Sequence, residues 1–307
     1  MKIIFSIFID IPEDKLDNPG WYEKGVQVKT DKSLKTKNAL YNNRHELERR
    51  QREYAESLNK PECGEPVEYR LLGNDKHYKD FCKYMKDYPQ ISEYDIINFY
   101  KHWAMKNFAQ NYDQVCYLDF DVVPNTDENV FRIFDQSNFG VADSNDLAEW
   151  GKNISSTQYN SCIRNPASKY WNTYAMLLED GMEPENDVFN TGIMVAGYNV
   201  IQKLAYFWEF DKTLDLMTYL KEEEDSIHPP NIQRVFNYDN ETVFSYLVKK
   251  RNIGIDWLPK EWHYVVDHPK KEMIDTSAKL YHVINKKVEW VLRLNGINFY
   301  VQKDMDL

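Results

Sequence analysis

The sequence predicts an α/β protein in which helices flank a mostly parallel sheet. An apolar strand at residues 3–9 is followed by a charged helical segment at residues 38–58 and a second strand at residues 67–72. Strand, helix and strand in this order begin a parallel sheet. Apolar residues then recur at helical spacing through residues 95–110, and that helix leads into a fully apolar strand at residues 115–124. These two units predict the fold class.

The rest of the chain continues the alternation of short strands and helices. Polar, loop-rich stretches are predicted at residues 10–37 and 144–166, and the second of these is long enough to line a binding site. The further predicted strands are residues 139–143, 188–197, 253–258 and 279–284; the further predicted helices are residues 76–88, 169–178, 199–220 and 239–250. With 307 residues, the chain is long enough for one large α/β domain.

Charge argues against a broad nucleic-acid-binding surface. The chain has 38 Lys and Arg residues against 49 Asp and Glu residues, a formal net charge of −11. A local basic cluster at residues 29–52 leaves a nucleic-acid partner open, although the same residues suit a solvated helix face. Aromatic residues make up 15% of the chain, which suits stacking on sugars or bases and equally suits bulky core packing.

Cysteine usage and hydropathy indicate a compartment. The four cysteines form no CxxC pair, so neither a disulfide framework nor a zinc site is predicted. No apolar run approaches the roughly 20 residues that a membrane-spanning helix needs. We therefore expect a reduced, cytoplasmic protein without a membrane span; the oligomeric state is open.

Two aspartates at the end of the apolar strand are the first candidate functional residues. Strand geometry places Asp119 and Asp121 on one face, because successive side chains alternate and Phe120 lies between them. Two carboxylates on one face form a hard-oxygen site that suits Mg²⁺ or Mn²⁺ bound to a diphosphate. The carboxyl end of a strand is also where ligands bind open α/β sheets. The alternative is an exposed turn with two solvated acids.

Several segments in a fixed order resemble the GT-A glycosyltransferases. They are F-Y-K at residues 99–101, Y-L-D-F-D at 117–121, F-N-T-G-I-M-V at 189–195, D-N-E-T-V-F at 239–244 and Y-H-V-I-N-K-K at 281–287. The resemblance is to the glycogenin-like and lipopolysaccharide-galactosyltransferase-like retaining enzymes in particular, over about two thirds of the chain. It implies a Rossmann-like GT-A fold as a single domain, with a nucleotide-binding half at residues 1–143 and an acceptor-side half at residues 144–307.

The resemblance implies a metal site. Asp119 and Asp121 become the aspartates of a DxD motif, and His282 becomes the third protein ligand of Mn²⁺ or Mg²⁺. The metal would stabilise the nucleoside diphosphate leaving group without proton transfer, and an imidazole ligand favours manganese. Taken without the resemblance, His282 is an ordinary core histidine.

The resemblance also implies nucleotide and phosphate contacts. Residues Phe8, Ile9 and Asp10 at the end of the first strand would hold the base, and Phe120 belongs to the same site. Lys101 resembles a lysine in the helix before the DxD strand, and its alternative is a solvated surface position. The family's late motif, a His followed by Gly and then by Lys-Pro-Trp, lacks its glycine and proline here. The phosphate lysine is therefore either Lys286 or Lys287, followed by Trp290.

Two further segments supply candidate catalytic residues. The segment Asn190, Thr191 and Gly192 resembles the part that borders donor sugar and acceptor, with Asp187 close before it. Residues Asp239 and Glu241 resemble an acidic helix start that touches the donor sugar, and both also suit plain helix capping. No single catalytic base is evident.

The expected function is therefore metal-dependent transfer of a sugar from a nucleoside diphosphate sugar, UDP-linked on the resemblance, to a hydroxyl of a glycan, a protein or a modified base. Two alternatives remain open. The strand followed by D-x-D also occurs in haloacid dehalogenase-like phosphatases, where Asp119 would be the nucleophile, although no later G-D-x-x-x-D follows. The chain could also bind nucleotide sugars without catalysing transfer.

Overall fold

A six-stranded sheet joins the two halves of the chain. The computed structural model describes residues 1–12, 21–23, 26–28, 32–59, 65–145, 166–222, 238–267 and 270–294. The strands are β1 (Lys2–Ile7), β2 (Trp21–Glu23), β3 (Val26–Val28), β4 (Val67–Leu72), β5 (Gln114–Leu118), β6 (Val122–Pro124), β7 (Phe139–Asp143), β8 (Phe189–Gly197), β9 (Ile255–Trp257), β10 (Tyr264–Val265) and β11 (Leu280–His282). The central sheet has the order β4-β1-β5-β8-β7-β9.

The described ranges contain nine helices. They are α1 (Lys32–Asn42), α2 (Arg44–Ser57), α3 (Lys76–Met85), α4 (Glu93–Phe108), α5 (Pro166–Glu179), α6 (Tyr198–Leu204), α7 (Phe210–Glu222), α8 (Asn240–Lys250) and α9 (Val288–Leu292). Of these helices, none combines the length and the apolar character that crossing a bilayer requires.

The sheet is mostly parallel, as predicted, with one reversed strand. Strand β1 pairs in parallel with both β4 and β5, and β7 pairs in parallel with β9. Strand β8 runs antiparallel to both of its neighbours, β5 and β7. Because β8 is reversed, its first residues lie at the same edge of the sheet as the last residues of β5.

Both faces of the sheet are buried, which explains the nearly continuous apolar strands. Along β5, Val115 and Tyr117 face one core cluster, whereas Cys116 and Leu118 face the other. The larger cluster lies between the sheet and helices α3 to α8, and the smaller one includes residues of α2. The alternation therefore follows the period of two expected for a strand.

A second, three-stranded sheet carries the end of the chain back to the centre. Its order is β10-β11-β6, with β11 antiparallel to β6 and parallel to β10. The register places His282 opposite Val122. The late strand predicted at residues 279–284 is confirmed as the buried strand β11 at residues 280–282, and it pairs with the segment that follows the aspartate turn.

Several predicted boundaries were wrong. The strand predicted at residues 115–124 is two strands separated by a turn at residues 119–121, in which the N–H of Val122 donates to the carbonyl of Asp119 at 2.9 Å. The helix predicted at residues 199–220 is divided into α6 and α7. Ala205 and Glu209 between them adopt positive φ angles of 39° and 57°, which are incompatible with a right-handed helix. The helical segment at residues 38–58 is also divided, at Asn43, and begins earlier, at Lys32.

Other predictions have clear outcomes in the described ranges. Part of the loop predicted at residues 10–37 forms the hairpin of β2 and β3. Most of the loop predicted at residues 144–166 lies outside the described residues, as do Cys63 and Cys162. In the α2 part of the basic cluster, the arginines form a solvated helix face: Arg49 pairs with Glu46 and Glu53, and Arg52 pairs with Glu48. Lys37 of the same cluster instead pairs with Asp10.

A buried glutamine ties helix α2 to the aspartate turn. The side-chain amide of Gln51 donates to the carbonyls of Asp119 at 3.1 Å and Val122 at 2.8 Å. Its carbonyl oxygen accepts from the hydroxyls of Ser6 at 2.6 Å and Tyr69 at 3.1 Å. Gln51 is fully buried, so water cannot replace these four hydrogen bonds.

We predict that Gln51→Leu lowers the free energy of unfolding by at least about 2 kcal/mol, because it leaves several buried polar groups without a partner. Urea denaturation in the presence of a chelator measures the change. Gln202→Leu, at an exposed position, is the matched control and should change the free energy by less than about 0.5 kcal/mol. Equal effects of the two substitutions would show that Gln51 does not hold the turn.

Candidate functional site

The aspartate turn lies where β5 leaves the sheet. The sequence predicts that strand alternation brings the two carboxylates together. Strand β5 ends at Leu118, however, so the turn brings them together instead. The N–H of Asp119 donates to the carbonyl of Gly192 at 2.7 Å, and the N–H of Val283 donates to the carbonyl of Asp121 at 3.1 Å. The turn is thereby fixed to β8 on one side and to the residue after β11 on the other.

The structure brings Asp119, Asp121 and His282 together. One ligand atom from each lies within 4.8 Å of the others. The Nε2 atom of His282 is 3.4 Å from Oδ2 of Asp119 and 3.5 Å from Oδ1 of Asp121. Two carboxylates and one imidazole nitrogen at this spacing are a donor set that fits Mn²⁺ or Mg²⁺.

Close packing explains the glycine of the N-T-G segment. A Cβ atom built on Gly192 would lie 2.3 Å from Cε1 and 2.6 Å from Nδ1 of His282, far inside van der Waals contact. Glycine therefore lets the imidazole lie directly against the start of β8. Gly192 and His282 are both candidate site residues in the sequence. In the structure, the His282 ring can occupy its position only because residue 192 has no side chain.

Cationic side chains surround the two aspartates. The ammonium group of Lys101, which is buried, lies 3.5 Å from Oδ1 of Asp119 and donates to Thr191 Oγ1 at 3.0 Å. Lys286 forms an ion pair with Asp121. The hydroxyl of Tyr117 donates to Oδ1 of Asp119 at 2.5 Å. Each carboxylate thus has at least one cationic partner.

These contacts determine the ionisation of the site. Burial opposes the charge of Asp119, but Lys101 and His282 hold the pKa of Asp119 well below its ordinary value. Burial likewise opposes the charge of Asp121, but Lys286 and His282 lower its pKa to about 2. For His282 burial disfavours the imidazolium, but Asp121 and Asp119 raise its pKa to about 9. Without a metal ion, the imidazolium therefore supplies positive charge between the two carboxylates.

The two candidate phosphate lysines have different surroundings. Lys286 lines the cleft beside Asp121 and has a left-handed backbone with φ 61°, a conformation that costs roughly 1–2 kcal/mol in a residue other than glycine. The ammonium group of Lys287 lies 4.1 Å from the ring centre of Trp290. Of the two, only Lys286 is placed in the cleft.

The predicted nucleotide-binding residues line this cleft. It runs from residues 7–11 past Thr36, Lys37 and Asn98 to residues 119–121 and Lys286. The rings of Phe8 and Phe120 lie 4.8 Å apart between their centres, and the N–H of Asp10 donates to Asn74 at 3.1 Å. Asp10 also forms an ion pair with Lys37 at 3.2 Å. Residues Phe8, Ile9, Asp10 and Phe120 are therefore brought together with the aspartate pair.

A second charged cluster lies beside the N-T-G segment. Oε1 of Glu241 accepts from the N–H of Thr191 at 2.7 Å and from its hydroxyl at 2.9 Å, and Lys169 forms an ion pair with Oε2. Burial opposes the charge of Glu241, but Lys169 and Lys101 lower its pKa. Glu241 is thus an ionised, fully engaged carboxylate that holds Thr191. The side chain of Asn190 accepts from the N–H of Gly192 at 3.0 Å.

Two other predicted acids have local partners. Asp239 is the N-cap of α8 and accepts from the backbone N–H groups of Glu241 and Thr242, as the capping alternative predicted. Asp187 is exposed, and its carboxylate accepts from the amide of Asn145 at 3.0 Å. The described contacts do not bring Asp187 into the metal cluster.

Sequence reasoning missed three residues that support the site: Gln51, Lys169 and His263. His263 is buried, and its Nε2 atom lies 2.9 Å from Nδ1 of His282. A polar residue at an inward position of a helix is a signal that could have identified Gln51. The other two are recognised only through partners distant in sequence.

We predict a specific pH dependence for the metal-free protein. The folded-state pKa of His282, about 9, exceeds its ordinary value of 6.5. Its stabilising contribution is therefore complete below pH 6.5 and is lost as the pH rises through about 9. In chelator, the melting temperature of the wild-type protein should fall between pH 6.5 and about 9. The melting temperature of His282→Gln should fall less over the same range. The Met1 amino group, whose pKa is also raised, titrates equally in both proteins. Parallel pH profiles of the two proteins would contradict the prediction.

Comparison with known proteins identifies the family. Residues 12–227 match the model of glycosyl transferase family 8. No curated protein matches the chain in sequence. Among solved structures, the galactosyltransferase LgtC with donor and acceptor sugar analogues is 13% identical, with a TM-score of 0.41 over 92% of this chain and 87% of that chain. Mouse xyloside xylosyltransferase 1 is 11% identical, with a TM-score of 0.44 over 92% and 98% of the two chains.

At these identities and TM-scores the assignment rests on the family model and not on the structural similarities. The match spans more than half of the 307 residues and contains the aspartate turn and the N-T-G segment, although it ends before His282. The resemblance predicted from the sequence is thereby confirmed. The chain is a glycosyltransferase with the GT-A fold and belongs to glycosyl transferase family 8.

Proposed function

We propose that this glycosyltransferase is metal-dependent and transfers a sugar from a UDP-linked donor to a hydroxyl of an acceptor, with retention of configuration. The observation that carries the proposal is the cluster of Asp119, Asp121 and His282 at the end of the cleft lined by residues 7–11. A base at the first strand and a diphosphate at the aspartate turn would occupy one continuous cleft.

The metal would be Mn²⁺ or Mg²⁺, held by Asp119, Asp121 and His282. When bound, a divalent cation stabilises the negative charge that develops on the diphosphate leaving group. His282 must then give up one proton from Nε2, so metal binding and protonation compete at this nitrogen. We infer that the apo protein keeps the site intact by substituting the imidazolium for the metal.

The lysines have distinct proposed roles. Lys286, which pairs with Asp121 in the absence of ligand, would contact the diphosphate once the metal neutralises that carboxylate. Lys101 is buried between Asp119 and Thr191, so we assign it the positioning of these two residues and not direct phosphate binding. The side chains and backbone carbonyls of residues 8–10 and the ring of Phe120 would hold the base.

The donor sugar and the acceptor would lie at the start of β8. Asn190, Thr191 and Gly192 are held at that edge, and the Lys169–Glu241 pair supports Thr191 from behind. Asp187 and Asn145 lie farther along the same edge and are our candidates for acceptor contacts. We propose a single domain with halves at residues 1–143 and 144–307, supported by the central sheet to which both contribute strands.

The acceptor is proposed to be a glycan or a protein in preference to nucleic acid. The net charge is −11, and the described arginines at residues 49–52 are neutralised by glutamates of the same helix. Membership of the glycosyltransferase family leaves the phosphatase hypothesis, with Asp119 as nucleophile, without support. A transfer assay separates an active enzyme from a protein that only binds the nucleotide sugar.

We predict that UDP raises the melting temperature only when Mn²⁺ or Mg²⁺ is present, because a ligand of the native state stabilises it by mass action. Asp119→Asn and Asp121→Asn should lose this metal-dependent shift while remaining folded in chelator. Differential scanning fluorimetry with UDP, other nucleoside diphosphates and the corresponding nucleotide sugars measures this shift in melting temperature. Retention of a manganese-dependent shift by both variants would reject the site, and a shift with phosphate and Mg²⁺ alone would favour a phosphatase.

We predict that the two neighbouring lysines differ in their effect on UDP binding. Lys286→Met should weaken manganese-dependent UDP affinity by about 10-fold, the loss of one charge-assisted contact worth about 1.5 kcal/mol or more. Lys287→Met is the matched control and should leave the affinity nearly unchanged, because its ammonium group lies over Trp290. Isothermal titration gives both values. The reverse order of effects would transfer the phosphate role to Lys287.

A further inference from the structure

His263 contacts the candidate metal ligand His282 and lies outside the set that would bind the metal. It follows the short helical turn Lys260–Trp262 and directly precedes β10. Only 5% of the residue is exposed. Its Nε2 atom lies 2.9 Å from Nδ1 of His282, and the ring centres are 5.1 Å apart. The contact joins the two imidazoles by one hydrogen bond.

The direction of this hydrogen bond follows from the geometry of the site. A hydrogen bond between two imidazole nitrogens needs one N–H group and one lone pair. Nε2 of His282 faces both aspartates, so this is the nitrogen that would bind the metal, and it must then carry a lone pair. The remaining proton of a neutral His282 is therefore on Nδ1. With the metal bound, Nδ1–H of His282 would therefore donate, and Nε2 of His263 would accept.

We propose that His263 is a positioning residue that fixes the tautomer and the ring orientation in which His282 binds the divalent cation. The proposal rests on the metal-dependent function proposed above. The partner nitrogen of a metal-binding histidine is commonly held by such an acceptor, and loss of the acceptor weakens metal binding about 10–100-fold. Here the acceptor is a second histidine.

Backbone pairing fixes the distance between the two rings. Strands β10 and β11 pair in parallel with Val265 opposite His282, and the N–H of Val266 donates to the carbonyl of His282 at 2.8 Å. On the opposite side, the His282 ring lies against Gly192. The ring therefore has little freedom to turn toward another acceptor.

Burial makes His263 difficult to replace. Its Nδ1 atom is inaccessible to water and has no hydrogen-bond partner among the residues that the structure describes. If an apolar side chain replaced His263, water would have no open route to the Nδ1–H of His282, which would remain unsatisfied.

A neutral acceptor also matters for the charge of the site. Two carboxylates and one divalent cation sum to zero. A carboxylate in place of His263 would add a third negative charge close to the diphosphate. With histidine there, no such charge is added, and Lys286 remains able to offset the negative charge of the donor.

The test compares two substitutions by their affinity for Mn²⁺ alone, measured from the free-ion signal in electron paramagnetic resonance. His263→Phe keeps an aromatic ring but has no acceptor, and it should weaken Mn²⁺ binding about 10–100-fold. His263→Gln offers an amide oxygen near the former Nε2 and should restore most of the affinity. Tyr264→Phe is the adjacent control: its hydroxyl contacts Met273 and Asp275, so Mn²⁺ affinity should be unchanged.

Four results would overturn the proposal. Wild-type Mn²⁺ affinity in His263→Phe would show that the acceptor is dispensable, and equal losses in the Phe and Gln variants would show that His263 only packs. A wild-type protein with Mg²⁺ whose ¹⁵N spectrum places the His282 proton on Nε2 would contradict the tautomer directly, without any variant having to fold. Absence of Mn²⁺ binding by the wild type would reject the metal-dependent function together with this inference.

Discussion

Two carboxylates held close together in a buried turn impose the main constraint on this structure. Asp119 and Asp121 follow a strand that is covered on both faces, and like charges in such surroundings repel strongly unless cations compensate them. The protein provides this compensation from distant parts of the chain: Lys101 from α4, and His282 and Lys286 from the C-terminal segment. Without the C-terminal segment, Asp119 and Asp121 would lack the positive charges of His282 and Lys286. We therefore expect the last described strand to fold together with the site.

This constraint accounts for details that otherwise have no common cause. Gln51 fixes the carbonyls of the turn, so the carboxylates cannot separate by local rearrangement. Gly192 permits the His282 ring to approach, and His263 orients it. In the metal-free state, the same groups that would bind the metal form a stable set of ion pairs. The site is therefore preorganised, and the proposed metal binding would exchange a proton and a lysine contact for a divalent cation.

The fold class and the centre of the site could be predicted from the sequence, because both rest on local patterns. Apolar runs predict strands covered on both faces, and the D-x-D and N-T-G segments lie beside those runs. The apolar run at residues 115–124 hid a turn, since hydropathy does not register a change of direction between two buried strands. Gln51 could have been noticed as a polar residue at an inward helix position, but the partners of Gln51, Lys169 and His263 could not be predicted, since they lie 50 or more residues away or depend on strand register. Helix breaks at Asn43 and at residues 205–209 carry no Gly or Pro signal.

We propose above that Asp119, Asp121 and His282 bind one divalent cation at the end of a nucleotide cleft. Crystals grown with MnCl₂ and UDP, with diffraction recorded at the manganese absorption edge, test this claim directly. We expect one anomalous peak within bonding distance of an oxygen of each aspartate and of Nε2 of His282, with UDP extending from it toward Phe8. A peak at other residues, or bound UDP without a metal at these three side chains, would contradict it.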